Sequence, residues 1–148
     1  LTTPQTFEVA AQLVRHGIRL DLLADQLFNN RSYASIKQLG VAIDSLTLHC
    51  DERVAVLHLN ADAMHAGDPD GAVNYGLMVR SVEVAVILKE YEEEKYRVSL
   101  RSQEGIDVNA IAKAFAGGGH VRAAGCRMEG RAEEVTHRLL TRIKHHLP

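Results

Sequence analysis

The sequence predicts an α/β (α+β) fold, a mixed β-sheet with flanking helices preceded by a helical segment. Three observations carry this reading. Apolar residues recur at helical spacing through residues 1–45, Val-rich stretches with alternating faces follow, and two further apolar helical stripes lie among and after the strands. With 148 residues, 46% of them hydrophobic and 24% charged, the chain can enclose one core, which excludes intrinsic disorder. No apolar run approaches the ~20 residues that cross a bilayer, and the start does not resemble a signal peptide, so a cytoplasmic location is the expectation. Cys50 and Cys126 are too few for a disulfide scaffold, fit no metal-ligand spacing and read as small buried hydrophobes.

The elements follow in order. Thr3-Pro4 offers an N-cap with proline at the first helical position, and Phe7, Ala10, Ala11 and Val14 form the first helical stripe up to Gly17. Leu20, Leu23, Ala24 and Leu27 form a second, stopped at Asn29-Asn30. Ser32 can cap a third with Ile36, Leu39 and Ile43. Strands are expected at Arg53 to Leu59 and at Val82 to Leu88, with a Gly67-Asp68-Pro69-Asp70-Gly71 turn and a short helix around Val73 and Leu77 between them. A turn at Glu92-Glu93-Glu94 leads into a strand from Lys95 to Arg101. There Tyr96, Val98 and Leu100 take one face and Lys95, Arg97, Ser99 and Arg101 the other. Asp107 can cap a helix with Val108, Ile111, Ala112 and Phe115, ended by Gly117-Gly118-Gly119. A short strand at Cys126 to Met128 and a last helix from about Arg131, with Val135, Leu139, Leu140 and Ile143, complete the chain. The first residue, Leu1, enters a helix signal at once, so a piece of a longer protein is expected.

A formal net charge of −2 hides an asymmetry, since residues 95–131 hold seven Lys and Arg against three Asp and Glu. An anion belongs there. Arg97, Ser99 and Arg101 share a strand face on which a guanidinium beside hydroxyls can grip a phosphate, although a solvated face would read the same way. In Gly117-Gly118-Gly119-His120, three glycines exceed what a helix terminator needs. They would let the main chain approach a ligand and offer successive N–H groups as an anion nest, with the His120 imidazole beside it. No Lys-Ser or Lys-Thr follows the glycines, which excludes a Walker loop. Turn chemistry explains the Asp68-Pro69-Asp70-Gly71 segment better than calcium binding, and the remaining histidines show no ligand spacing.

Ser99-Leu100-Arg101-Ser102, Asp107-Val108-Asn109 with Ile111-Ala112, and Phe115 with Gly117-Gly118-Gly119-His120 closed by Ala123-Ala124-Gly125 together resemble the C-terminal substrate-binding domain of the DHH (Asp-His-His) phosphoesterases. The branch most resembled is that of the bacterial oligoribonucleases and pAp phosphatases. The resemblance implies residues 1–45 as a linker leaving a DHH catalytic domain and residues 46–148 as the substrate-binding (DHH-associated) domain. It further implies a hydrolase acting on short oligoribonucleotides, pAp or cyclic or linear dinucleotides, with a two-metal centre, usually manganese, in the catalytic domain and none bound by this chain. Ser99, Arg101, Ser102, Gly117, Gly118, Gly119 and His120 would then clamp nucleotide phosphate and sugar. None of them would be catalytic. Expected partners are a short RNA or nucleotide and the catalytic domain of the same protein, with a homodimer left open and no membrane. Ala116 departs from the pattern, where relatives often carry a fourth glycine, and Val121-Arg122 replaces a more usual Lys-Asn type pair. The alternative is a non-catalytic RNA-binding module of the kind at the end of alanyl-tRNA synthetases. The helical segment 1–45 and an aromatic content of 5% speak against it.

Overall fold

The computed structural model describes residues 2–64, 69 and 71–148, and the chain divides into two compact units, Leu1–Ser32 and Tyr33–Pro148. In the first, α1 (Pro4–Arg15) is opened by Thr3 and Thr6, whose side chains cap each other's backbone N–H, with Pro4 in the first turn. Then α2 (Leu20–Ala24) runs on into a π-helical turn, Asp25–Asn29. No residue of these helices is buried, and Phe7 and Phe28 are 68% and 70% exposed. So short a segment cannot enclose a core of its own.

The second unit begins with α3 (Tyr33–Asp44), which buries Gln38 and Ala42. The units therefore part after Ser32, ahead of the division at residue 45 drawn from helical character. A helix that packs on a sheet carries the same stripe as one that does not. Six strands follow among the described residues: β1 (Thr47–His49), β2 (Val54–Leu59), β3 (Val84–Glu92), β4 (Lys95–Ser102), β5 (Gly118–His120) and β6 (Ala123–Glu129). Between β2 and β3 come α4 (Ala61–Met64) and α5 (Ala72–Gly76), α6 (Val108–Lys113) precedes β5, and α7 (Ala132–Lys144) ends the chain. Of the expected Gly67–Gly71 turn, only Pro69 and Gly71 lie within the described residues.

The sheet order is β1-β2-β3-β4-β6-β5, with β2 and β3 parallel and every other pair antiparallel, which makes the sheet mixed. One face packs Val56, Val86, Leu88, Val98 and Leu100 against Ile111 of α6 and Leu139 and Ile143 of α7. The other packs Ala55, Leu57, Ala85 and Ile87 with Ala42 of α3 and Ala72 and Val73 of α5. Burial on both faces explains why β2 and β3 read as near-continuous apolar runs. The second cluster contains no residue of β4, β5 or β6. On that face these strands carry Arg97, Ser99, Arg101, Ala123, Gly125 and Arg127, all half-buried or exposed. Cys126 is buried in the first cluster, and the loss of solvent pushes its thiol up to about 11.

Candidate functional site

The uncovered part of the sheet face is built by pairing. Antiparallel register sets Arg101 opposite Ala123 and Ala123 opposite His120, and it sets Ser99 opposite Gly125 and Gly125 opposite Gly118. Two strand spacings put Arg101 and His120 ~10 Å apart across a central strand. Between them stand residues no larger than alanine, so a ligand meets backbone there and the two longer side chains at its flanks. His120 is exposed, whereas Arg101 is half-buried and, among the described residues, hydrogen-bonds only to the Leu100 carbonyl, at 3.0 Å. A guanidinium held at its base with no carboxylate partner is a fixed positive charge with donors to spare.

Ser102 does not join this group. Strand alternation turns it to the opposite face, where it is 3% exposed and its hydroxyl donates to the Ile106 carbonyl at 2.7 Å. Its role is to tie the end of β4 to the segment entering α6. Of the two serines expected in the clamp, only Ser99 has its side chain on the face of Arg101.

The glycines also differ from expectation. They do not end α6, because the Gly117 N–H bonds the Ala112 carbonyl at 2.9 Å and the Ala116 N–H the Lys113 carbonyl at 3.2 Å, a Schellman arrangement with Ala116 as its left-handed residue, φ 55°. Nor do they form a loop nest, since Gly118–His120 is a strand paired to β6 at the edge of the sheet. The outer edge of such a strand can offer main-chain donors in place of the nest.

Each glycine has its own reason. A Cβ on Gly117 would lie 2.2 Å from the Gly125 carbonyl oxygen. On Gly119, whose φ is +152°, it would lie 2.5 Å from that of Ala123. Both are required for β5 to lie on β6. A Cβ on Gly118 would meet only the Asn109 side-chain oxygen at 3.9 Å, so the fold makes no demand for glycine there. That oxygen, Oδ1, is buried and has no hydrogen-bond partner among the described residues. An unsatisfied buried acceptor beside an open glycine is a place for a donor from outside the chain. Asn109 stands in the Asp107-Val108-Asn109 segment that carries the family resemblance, but it was not among the expected clamp residues. Asp107 beside it acts as the expected cap, accepting from the N–H groups of Asn109 and Ala110 at 2.9 and 3.1 Å.

Ala116 yields a direct test of the local backbone. Alanine in the left-handed region costs ~1 to 2 kcal/mol, and glycine gives back part of this as unfolded-state entropy. Ala116→Gly is therefore expected to stabilise the chain by ~0.5 to 1 kcal/mol in urea unfolding, and a lower midpoint would contradict the cap assignment.

On the opposite face, a cleft of ≈ 460 Å³ between β1, β2 and α7 holds His49, His58, His137 and Glu133 but no Lys or Arg. It has no permanent positive charge for an anion. Among the described residues no group of three or more His, Cys, Asp or Glu side chains is placed to hold a metal ion, and no helix is long and apolar enough to cross a membrane.

Comparison with known proteins shows the family and the fold. Residues 33–147 match the family model described as the DHHA1 domain. The bifunctional oligoribonuclease and PAP phosphatase NrnA of Thermus thermophilus is 35% identical over 130 residues, covering 87% of this chain and 39% of that protein. A probable bifunctional oligoribonuclease and PAP phosphatase NrnA of Streptococcus mutans is 26% identical over 136 residues, 89% of this chain and 43% of that one. In fold, an exopolyphosphatase-related protein of Bacteroides fragilis superposes with a TM-score of 0.88 at 23% identity, over 97% of this chain and 44% of its own. The chain thus spans about two fifths of the length of these two curated relatives.

Proposed function

The chain belongs to the DHHA1 domain family, the domain that accompanies the catalytic domain in DHH phosphoesterases, and from this premise we propose that it is the substrate-binding half of a metal-dependent hydrolase of short oligoribonucleotides or small nucleotides. The observation that carries the reading is the row Arg101–Ala123–His120 on an uncovered sheet face, beside a glycine for which the packing of the fold makes no demand. Arg101 supplies the charge and donor fork for a phosphate, His120 a donor or acceptor from the far side, and Ser99 a hydroxyl. Gly118 lets the substrate rest against the main chain of β5. In the whole protein the DHH domain would provide the divalent metal, manganese in this reading, and its ligands. Among the described residues no group of three or more His, Cys, Asp or Glu side chains is placed to hold such a centre, and no chemical step is assigned to these residues.

Two measurements test the proposal. The purified chain, incubated with manganese and bis-p-nitrophenyl phosphate or a short RNA, is expected to turn over nothing above buffer. Metal-dependent hydrolysis would place catalysis within this chain. Binding is expected to level off at very short strands with a shallow salt dependence, because few cations face the ligand. Affinity that climbs steadily from two to twenty nucleotides would favour the extended RNA-binding module instead.

A further inference from the structure

Along the same face, β3, β4 and β6 set Lys89 opposite Arg97 and Arg97 opposite Arg127. Three cations thus stand in one row across three neighbouring strands. Like charges directly opposite one another in an antiparallel pair destabilise it, so the Arg97 and Arg127 pair carries a cost that a bound anion would remove. Arg97 and Arg127 are exposed, and neither hydrogen-bonds or pairs with a carboxylate among the described residues; the Arg97 guanidinium rests over the Tyr91 ring, 5.3 Å from its centroid. The carboxylates of this face lie in the next row, where Glu92 and Glu129 flank Lys95, and Glu92 accepts from Lys95 at 2.7 Å. The two arginines border an open recess of ≈ 530 Å³, shared with Phe115, Ala116, Gly117 and Gly125.

Arg101 lies four residue steps beyond Arg97 on β4, ~13 Å along the strand. The row between them, Ser99 and Gly125, presents nothing larger than a serine on β4 and β6. One phosphate cannot serve both ends of such a path. A short strand with two or more phosphates can.

Building on the reading of Arg101 and His120 as the first phosphate site, we propose that Arg97 and Arg127 form a second anion subsite, which takes the next phosphate of the same short oligonucleotide. The subsite sets a minimum length for full affinity. Two rows of cations ended by the carboxylates of Glu92 and Glu129 also explain why affinity would stop growing beyond a few nucleotides, since a longer strand runs into negative charge.

The test uses the full chain, adenosine 5′-monophosphate and the dinucleotide pApA as probes, and titration calorimetry at several salt concentrations. For the double variant Arg97→Gln/Arg127→Gln, pApA affinity is expected to fall at least tenfold, with a salt slope shallower by ~0.7 per lost contact, while monophosphate affinity stays within twofold. Circular dichroism confirms that the variant folds, and removing two like charges from adjacent strands should favour folding. Equal losses for both probes would overturn the subsite in favour of a diffuse positive field. Unchanged binding of both would show the arginines to be merely solvated. If the wild-type chain binds neither probe, the first site and the proposed function fall with the subsite; if it binds both and the variant matches it, only the subsite fails.

Discussion

Arg101→Gln is expected to weaken mononucleotide binding by ~10 to 100-fold, the value of one charge-assisted contact of ~1.5 to 3 kcal/mol. The glutamine keeps a hydrogen-bond donor and most of the stem but loses the charge and the fork. The fold should be little affected, because the guanidinium donates to its own neighbour, the Leu100 carbonyl, and not to another element. Arg101→Lys should fall between the two, since an ammonium restores the charge without the planar donor pair. Calorimetric titration of a mononucleotide into the three proteins measures this. A Gln variant that binds like the wild type would remove Arg101 from the site.

The second large effect separates the three consecutive glycines. Gly117→Ala and Gly119→Ala should each cost ~2 to 4 kcal/mol of stability, because a Cβ would drive into the Gly125 or Ala123 carbonyl oxygen, at 2.2 and 2.5 Å, and Gly119 also has a φ of +152°. Backbone atoms cannot swing aside as a side chain can, so β5 would lift from β6. Gly118→Ala should change stability by less than ~0.5 kcal/mol, as its Cβ would enter open space. The same methyl should nevertheless weaken mononucleotide binding strongly, since it occupies the surface on which the ligand is proposed to rest. Urea unfolding beside calorimetry separates the two behaviours. If Gly118→Ala binds normally, no ligand approaches that strand; if Gly117→Ala is as stable as wild type, the close packing of β5 on β6 is wrong.

Sequence alone determined the parts that depend on near neighbours. The caps at Thr3 and Asp107, the strands around Val54–Leu59 and Lys95–Ser102 and the final helix Ala132–Lys144 were all legible. So was the sharing of one strand face by Arg97, Ser99 and Arg101, because helical and strand periods are set by local geometry. The basic stretch and the glycine-histidine segment fall on the strands β4, β5 and β6 that carry the uncovered sheet face. Two strands were invisible, β1 and β5, each of three residues. Strands so short hold too few positions for alternation to appear, and they exist only because a longer neighbour pairs with them. Tertiary structure alone decided that β6 lies between β4 and β5, which brings His120 into the row of Arg101 and Arg127 opposite Arg97. It also decided that Ser102 turns inward to Ile106, that Ala116 and not a glycine closes α6, and that of the three glycines only Gly118 is free of a packing requirement. Each of these is a matter of register or of what lies across from a residue. Residues distant along the chain fix such pairings jointly, through the burial of both sheet faces, and no local pattern can encode them.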